Sequence, residues 1–536
     1  MSSQSGNLMT YDAVIVGSGM AGLTAAAFLA RANRTVLLCE KESGCGGLVN
    51  SFERDGFQYD GGIRAMENSG VLFPMLRALG LNIEFAPNKI SLGIEDRVIR
   101  VDSEESLQEY QSLLNDLYPE SKAEIDLIIV QIKKIMHYMD VQYGIDNPVF
   151  LDFKKDQAYL ARAILPWMVK YAFTAPKIAA LNAPVVDFLK QFTHNQALLD
   201  IISQHFFHDT PAFFALSYLK LYLDYHYPLG GTAVVVQKLV SFIEDHHGKI
   251  LTNTEITAVD PRKQVVTDAQ GNTHAYRRLI WAADLKTLYR LLNLENLADP
   301  RVKRAIQARR EEIADKAGND SVYTLFLGAD LPPEYFADIA SEHFFYTPSR
   351  SGQSIAGEIP TAADRREIEK WLEKFFALTT YEISIPVLRD AALAPPGKTG
   401  LIISVLFDYK LTKLIREMGW YEDFKTLCET HILDTLDASI YPGIKNAVIH
   451  QFSSTPLTME KLSGNAEGAI TGWAFSNDPI PAELRIPRIM NAVKTPIPGV
   501  IQAGQWTYSP SGFPISLITG KIAADQVIRE IRPRRR

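Results

Sequence analysis

Apolar runs and helical stretches alternate near both ends of the chain. Asp12 to Val16 is a short apolar run typical of a buried strand, and Thr35 to Cys39 is a second. Between them, Met20 to Ala32 is rich in Ala and Leu and predicts a helix. Near the other end, "GVIQAGQWTYSPSGFPISLITGKIAADQVIREI" predicts a strand, an irregular turn and a long helix. Strands joined by helices favour a parallel sheet, so the pattern predicts an α/β fold.

The middle of the chain has a different pattern. Apolar positions from about 70 to 220 recur at helical spacing, as in "LLNDLYPESKAEIDLIIVQIKKIMHYM". Further on, "SVYTLFLG", "TYEISIPV" and "LIISVLF" predict an antiparallel sheet with helical cover. We therefore expect a discontinuous Rossmann-type domain with an inserted α+β substrate domain. The expected segments are 1–70, 226–292 and 479–536 for nucleotide binding, 71–225 for a mainly helical region, and 293–478 for the substrate domain.

The first predicted turn contains a phosphate-binding motif. Gly17, Gly19 and Gly22 have G-x-G-x-x-G spacing between a predicted strand and a predicted helix. Such glycines permit the tight turn, the approach of backbone to a pyrophosphate, and close packing of the helix. Glu40 ends the second strand, where a carboxylate accepts bonds from ribose hydroxyls. The acid favours a ribose without a 2′-phosphate, which indicates NAD or FAD rather than NADP.

Composition narrows the class of protein. The chain has 536 residues, 47% hydrophobic and 22% charged, which is typical of a globular protein with a large core. A net charge of −7 gives no indication of a nucleic-acid partner, and three cysteines form no disulfide framework. We find no signal peptide and no apolar run long enough to span a membrane. The expected location is cytoplasmic, with peripheral membrane contact left open.

Several further motifs resemble one family of FAD enzymes. They include "KESGCGGLVNSFERDGFQYDGGIRA" after Glu40, "YPLGGTAVVVQKL", "SIPVLRDAALAPPGKTGL", "TPLTMEKLSGNAEGAITGW", and the C-terminal "GVIQAGQWTYSPSGFPISLITGKIAA". In this order they resemble the phytoene desaturase, carotenoid isomerase and retinol saturase group, and the resemblance covers nearly the whole chain. It implies FAD as cofactor and a long apolar polyene or isoprenoid as substrate.

The resemblance also implies which residues bind the cofactor. The glycine motif would hold the pyrophosphate, Glu40 the adenosine ribose, and Ile256 the adenine through its backbone. The C-terminal segment would lie under the flavin ring, where a helix N-terminus can stabilise negative charge. The residues expected to bind FAD are Gly17, Ser18, Gly19, Ala21, Gly22, Glu40, Lys41, Gly46, Gly47, Leu48, Ile256, Gly504, Gln505, Phe513 and Ile515.

Gln505 departs from the carotenoid desaturases, which have Asp at this position. Loss of a negative charge near the ring makes anionic reduced flavin less costly. No second nucleotide motif is present, so the electron donor or acceptor stays unknown. We expect activity from the reduced enzyme, as saturation or redox-neutral isomerisation, rather than oxygen-driven desaturation.

Arg64 and Glu67 are the candidate catalytic residues. They lie in "GGIRAMENSG", directly after the segment expected to reach the isoalloxazine. There they would steer hydride or proton transfer, or bind a polar end of the substrate. A structural ion pair, or a contact with the flavin's own oxygens, is the alternative. Trp506 and Tyr508 are either substrate walls or ordinary core aromatics. No metal-ligand spacing stands out.

The stretch Lys154 to Lys177 combines aromatic and aliphatic residues with basic flanks. Such a segment can lie in a membrane interface, and a buried helix pair is the alternative. Pro166 should kink or divide it. The Arg532–Arg536 tail would add attraction to anionic lipid, and a merely disordered tail is the alternative.

The sequence thus predicts an FAD-dependent oxidoreductase or isomerase acting on carbon–carbon double bonds of a carotenoid- or retinoid-like substrate. Two alternatives remain open. One is an amine oxidase-like flavoenzyme, and the other is a flavin-free prenyl-protein carrier of similar fold.

Overall fold

The computed structural model describes residues 9–295 and 297–531. Its strands in chain order are β1 (Thr10–Val16), β2 (Val36–Cys39), β3 (Ser51–Arg54), β4 (Phe57–Asp60), β5 (Met66–Glu67), β6 (Phe85–Pro87), β7 (Ile90–Ile94), β8 (Arg97–Val101), β9 (Tyr225–Pro228), β10 (Lys249–Leu251), β11 (Ile256–Asp260), β12 (Val265–Asp268), β13 (Thr273–Trp281), β14 (Ser321–Ala329), β15 (His343–Thr347), β16 (Tyr381–Ser384), β17 (Thr399–Phe407), β18 (Val448–Ser454) and β19 (Val500–Gln502).

The α-helices connect and cover these strands. In chain order they are α1 (Met20–Arg31), α2 (Leu72–Leu79), α3 (Ser106–Leu117), α4 (Lys122–Tyr143), α5 (Gln157–Tyr159), α6 (Leu165–Ala179), α7 (Val185–Leu189), α8 (Gln196–Ser203), α9 (Ala212–Leu216), α10 (Tyr218–Tyr222), α11 (Ala233–Asp245), α12 (Leu285–Leu291), α13 (Pro300–Ala314), α14 (Pro333–Ile339), α15 (Arg365–Leu378), α16 (Tyr409–Glu417), α17 (Tyr421–Ala438), α18 (Pro456–Ser463), α19 (Ile489–Ala492) and α20 (Phe513–Glu530).

The first sheet is the nucleotide-binding sheet. Its order is β10-β2-β1-β13-β12-β11, and β19 pairs with β13. Four pairs are parallel: β10–β2, β2–β1, β1–β13 and β13–β19. The pairs β13–β12 and β12–β11 are antiparallel. Strands from three distant parts of the chain therefore form one sheet, and the predicted discontinuous Rossmann-type fold is confirmed.

Two helices lie against each other beside this sheet. α1 follows the phosphate-binding turn, and the C-terminal α20 packs along it at close range. The contact is close because a Cβ on Gly520 would lie only 2.4 Å from the Ala21 carbonyl oxygen. Because residue 520 is a glycine, α1 and α20, which belong to the two predicted cofactor-binding segments, can approach each other.

The second sheet carries the inserted domain. Its order is β18-β14-β17-β16-β15-β7-β8. Every pair is antiparallel except β15–β7, which is parallel, so the sheet is mixed where a purely antiparallel one was predicted. A buried aromatic and aliphatic core on α15 and α17 supports the face away from the helical region.

The region 71–225 is helical with an exception that the periodicity did not predict. β7 and β8 form a hairpin within it and complete the second sheet. The run "ISLGI" at the start of "ISLGIEDRVIRV" alternates apolar with small or polar residues, which is a strand signal that the helical interpretation of the surrounding region overlooked. A small sheet of β5, β9 and β6 connects this region to the nucleotide-binding unit. Among the described residues, no helix has the length and apolar character needed to cross a bilayer.

Candidate active site

The phosphate-binding turn has glycines for two different reasons. Gly17 has φ +95°, and a Cβ on Gly22 would lie 1.9 Å from the Gly17 carbonyl oxygen, so the backbone requires both. A Cβ on Gly19 would meet nothing within 4 Å. Gly19 therefore borders open space at the N-terminus of α1, where backbone N–H groups and the helix dipole favour a phosphate. The turn fits a dinucleotide.

Glu40 follows β2 and is buried beside this turn. Its Oε2 accepts hydrogen bonds from the Ser18 N–H at 2.8 Å and the Ser18 hydroxyl at 2.6 Å. Its Oε1 accepts one from the Glu42 N–H at 3.0 Å. A carboxylate has further lone pairs for ribose hydroxyls. Besides its predicted contact with the ribose, Glu40 therefore fixes the conformation of the phosphate-binding turn.

The other predicted cofactor residues divide into two groups. The Gly46 N–H donates to the Ser18 carbonyl at 2.9 Å, and a Cβ on Gly47 would lie 3.3 Å from the Gly19 Cα. Ile256 begins β11 two residues after Thr254, whose N–H donates to the Glu40 carbonyl at 2.7 Å. By contrast, the Lys41 ammonium donates to the Lys461 carbonyl at 2.7 Å, at the end of α18.

The C-terminal segment joins the same site. A Cβ on Gly504 would lie 3.4 Å from the Ala21 Cβ. The Gln505 side chain has a buried Nε2 without a hydrogen-bond partner among the described residues, which fits a group that FAD would supply. Phe513 begins α20, and both Phe513 and Ile515 belong to the buried apolar core beside the nucleotide-binding sheet. Trp506 and Tyr508 are buried too and belong to the cores on either side of the sheet, as ordinary core aromatics do.

A cavity of about 250 Å³ opens between this site and the second sheet. Leu48, Gly62, Gly512 and Phe513 line its end near the predicted flavin segments. Aromatic side chains from the helical region form another wall: Phe206, Phe207, Phe214, Tyr218, Tyr222 and Tyr225. The cavity thus joins the predicted ring site to an aromatic chamber formed by these side chains.

Arg64 and Glu67 both line this cavity. The buried Arg64 guanidinium donates to the Ser404 hydroxyl at 2.6 Å, to the Thr324 hydroxyl at 3.4 Å, and to the Gly62 carbonyl. The Glu67 carboxylate lies at the start of α20, with Oε1 3.9 Å from the place of a Cβ on Gly512. Arg64 and Glu67 form no ion pair with each other, and both line the cavity.

Two carboxylates in this cavity have opposite pKa shifts. Burial raises the pKa of Glu67 to about 7, and Asp224 adds to the rise. Burial also acts on Glu382, but the hydrogen bond from His343 at 3.0 Å and the charges of Arg64 and Arg389 outweigh it and lower its pKa to about 2. Glu67 can therefore hold or release a proton near neutral pH, whereas Glu382 stays ionised.

Sequence reasoning missed Glu382, His343 and His205. His205 lines the cavity, and burial lowers its pKa to about 4, so it is neutral at pH 7. Glu382 had a signal, since it is the charged residue in the predicted strand "TYEISIPV". That signal shows a polar position in a strand, but not which residues of other strands stand beside it.

The surface helix predicted at 154–177 is exposed on one face. A π-helical turn at Leu160–Ile164 runs directly into α6, so Pro166 marks a change of helix type and the helix is not divided. Leu165, Met168, Val169 and Phe173 share one face at i, i+3, i+4 and i+8, and Phe173 is 74% exposed. Trp167 lies half-buried and donates to the Val141 carbonyl. The basic tail lies outside the described residues.

Comparisons with known proteins agree with this geometry. Residues 15–79 match the model of an NAD(P)-binding Rossmann-like domain. The chain is 23% identical to all-trans-retinol 13,14-reductase of Danio rerio over 96% of this chain and 86% of that protein. It is 24% identical to the chloroplastic prolycopene isomerase of Daucus carota over 86% of this chain and 72% of that protein.

The resemblance to this group of FAD enzymes is confirmed. The protein is an FAD-dependent oxidoreductase. A 4,4′-diapophytoene desaturase of Staphylococcus aureus is 23% identical over 96% of this chain and 98% of that protein. Among solved structures, a putrescine oxidase variant has the same fold, with a TM-score of 0.59, 14% identity, and coverage of 97% of this chain and 99% of that one.

Proposed function

We propose that the oxidoreductase acts on carbon–carbon double bonds of a carotenoid- or retinoid-like polyene. The observation that carries the proposal is the cavity, which joins the predicted flavin segments to an aromatic chamber. Aromatic walls suit a conjugated chain because they offer large apolar area and edge contacts. The three curated relatives support the same class, since their names refer to retinol, prolycopene and diapophytoene.

When bound, FAD supplies the site that gives or takes a hydride. The chain positions the substrate with the aromatic wall and excludes water from the cavity. The Arg64 guanidinium and the neutral Gln505 side chain would stabilise negative charge at the flavin end of the cavity. Glu67, with its pKa near 7, can exchange a proton at this end. These features favour saturation or isomerisation by the reduced enzyme.

The test is an anaerobic incubation of photoreduced and oxidised holoenzyme with a panel of polyenes, read by product chromatography. We expect conversion by the reduced enzyme. Conversion only by oxidised enzyme with quinone or oxygen would reverse the proposed direction. Peroxide release from an amine panel would favour the amine oxidase alternative. A protein that stays colourless after incubation with FAD would favour the flavin-free carrier.

A second proposal concerns delivery of the substrate. A long hydrocarbon does not cross water at a useful rate, since transfer costs about 0.8 kcal/mol per carbon. We propose that α6 docks on a bilayer through its exposed apolar face, with Lys170 and Lys177 toward anionic headgroups. The exposed apolar side chains on one face support this proposal over the buried helix pair.

A further inference from the structure

One row of polar side chains crosses the cavity wall that the second sheet forms. Register places Ser454 of β18 beside Thr324 of β14, Thr324 beside Ser404 of β17, and Ser404 beside Glu382 of β16. Residues in register on neighbouring strands stand on the same face. All four line the cavity. A wall built only for a hydrocarbon would have no reason for polar positions in four adjacent strands.

Arg64 lies across this row. Its hydrogen bonds go to two hydroxyls and one carbonyl, and none goes to a carboxylate. Its buried Nε has no partner among the described residues. The Glu382 carboxylate balances part of the Arg64 charge without accepting a hydrogen bond from it. The buried N–H donor that remains unused is costly unless another acceptor reaches it.

A second unused donor belongs to the aromatic wall. The Tyr222 hydroxyl is buried and has no hydrogen-bond partner in the described part of the chain. Burial raises the pKa of Tyr222, with Tyr218 and Glu382 adding to the rise, so the hydroxyl keeps its proton. Glu382 accepts from His343, and no hydrogen bond joins it to either donor. Both unpaired atoms therefore belong to side chains that line one cavity and can donate.

We propose that the ligand of this cavity carries an oxygen acceptor, a carboxylate or carbonyl oxygen, that Arg64 and Tyr222 bind. The inference rests on the proposed function and makes it more specific: the substrate is an oxygenated polyene rather than a pure hydrocarbon. Arg64 then selects the substrate's polar group and so fixes which double bonds lie at the flavin end of the cavity.

The experiment compares ligands that share one skeleton. Holoenzyme is titrated with all-trans-retinoic acid, retinal, retinol and axerophthene, the hydrocarbon in which a methyl group replaces the polar end, and dissociation constants are read from tryptophan fluorescence quenching. We expect the acid or aldehyde to bind about 10- to 100-fold more tightly than the hydrocarbon, the range of a charge-assisted hydrogen bond. The ligand with the lowest dissociation constant shows whether the cavity prefers a carboxylate or a carbonyl oxygen.

Variants test the two donors separately. Arg64→Gln should reduce the preference to below about threefold, and Tyr222→Phe should reduce it by about two- to tenfold. Tyr346→Phe is the matched control, because Tyr346 adjoins Phe345 on the same strand and also has a buried, unpaired hydroxyl, but does not line the cavity. It should leave the preference unchanged. Melting curves and FAD content confirm that each variant is folded.

Several results would overturn the inference. Equal binding of the acid, aldehyde and hydrocarbon by the wild type would show that the cavity does not select an oxygen. If Arg64→Gln lowers FAD affinity but keeps the preference, Arg64 serves the cofactor. If no retinoid binds and no polyene is converted, the proposed function fails together with this inference; binding without selection would leave the proposed function standing.

Discussion

The phosphate-binding turn and the substrate cavity are both built on strands, but they are specified in different ways. In the turn, Gly17, Gly19 and Gly22 lie within six residues; the local backbone requires glycine at Gly17 and Gly22, and Gly19 leaves the space beside the turn open. In the cavity, Thr324, Glu382 and Ser404 come from strands far apart in sequence and meet through register. A binding site for a common cofactor can thus be encoded locally, whereas the pocket for a particular substrate depends on long-range pairing.

The largest expected effect separates two glycines of the turn. Gly22→Val places side-chain atoms on the Gly17 carbonyl, where even a Cβ would lie 1.9 Å away, so the variant should lose at least about 3 kcal/mol of unfolding free energy. Gly19→Ala should keep wild-type stability and lose FAD, because its methyl group points into open space beside the turn. Urea unfolding and flavin absorbance measure the two effects.

Two results for Gly19→Ala would contradict the assignment of the space beside Gly19 to a phosphate. If it destabilises the apoprotein as much as Gly22→Val does, the space beside Gly19 is not free for a phosphate. If it retains FAD at wild-type occupancy, the pyrophosphate lies elsewhere.

The next effect belongs to the cavity and depends on pH. The pKa of Glu67 is raised from 4.5 to about 7 on folding, so the unfolded chain loses this proton first as the pH rises. Stability linked to Glu67 is full below pH 4.5 and falls through pH 7, by at most about 3 kcal/mol. Urea unfolding of the wild type and Glu67→Gln from pH 4 to 8 isolates this effect as a difference, because other groups such as His205 contribute equally to both proteins. The free energy of unfolding of the wild type should fall relative to that of Glu67→Gln as the pH rises from 4.5 to 7.

Glu382 gives the opposite slope and is the matched control. Its pKa is lowered to about 2, so its contribution is present above pH 4.5 and is lost as the pH falls toward 2. Glu382→Gln should therefore change unfolding on the acid side and leave the slope between pH 5 and 8. The same slope in wild type and Glu67→Gln would contradict the raised pKa.

A smaller effect tests the two tasks of Glu40. Glu40→Ala should weaken FAD binding by about 1.5–3 kcal/mol, the scale of a hydrogen bond to a charged group. Ser18→Ala removes only the hydroxyl contact with Glu40 and should cost about 1 kcal/mol of FAD affinity. Titration of apoprotein with FAD measures both, and equal losses would mean that Glu40 acts only through Ser18.

The smallest expected effect concerns α6. Val169→Glu with Phe173→Glu should weaken flotation with anionic vesicles several-fold and change unfolding by less than about 0.5 kcal/mol, because both side chains are exposed. Ile355→Glu is a control at an exposed apolar position outside the helix. Flotation unaffected by the α6 pair would remove the docking proposal.

The sequence by itself was sufficient to predict the fold of the cofactor-binding domain. The glycine spacing, Glu40 and the C-terminal segment indicated an FAD fold, and the discontinuous arrangement followed from strands at both ends of the chain. Arg64 and Glu67 were singled out because they directly follow the segment predicted to face the flavin. These features are local: a turn, a strand end or a helix start carries them, so residues near in sequence suffice to reveal them.

Only the tertiary structure decided the cavity. It brought β7 and β8 into the second sheet, and it aligned Ser454, Thr324, Ser404 and Glu382 into one polar row. A shift of one residue in any of these strands would turn its polar side chain to the opposite face. The alternation within a strand does not encode which neighbour it pairs with. The packing of the whole core sets that register, and with it the surface that a substrate meets.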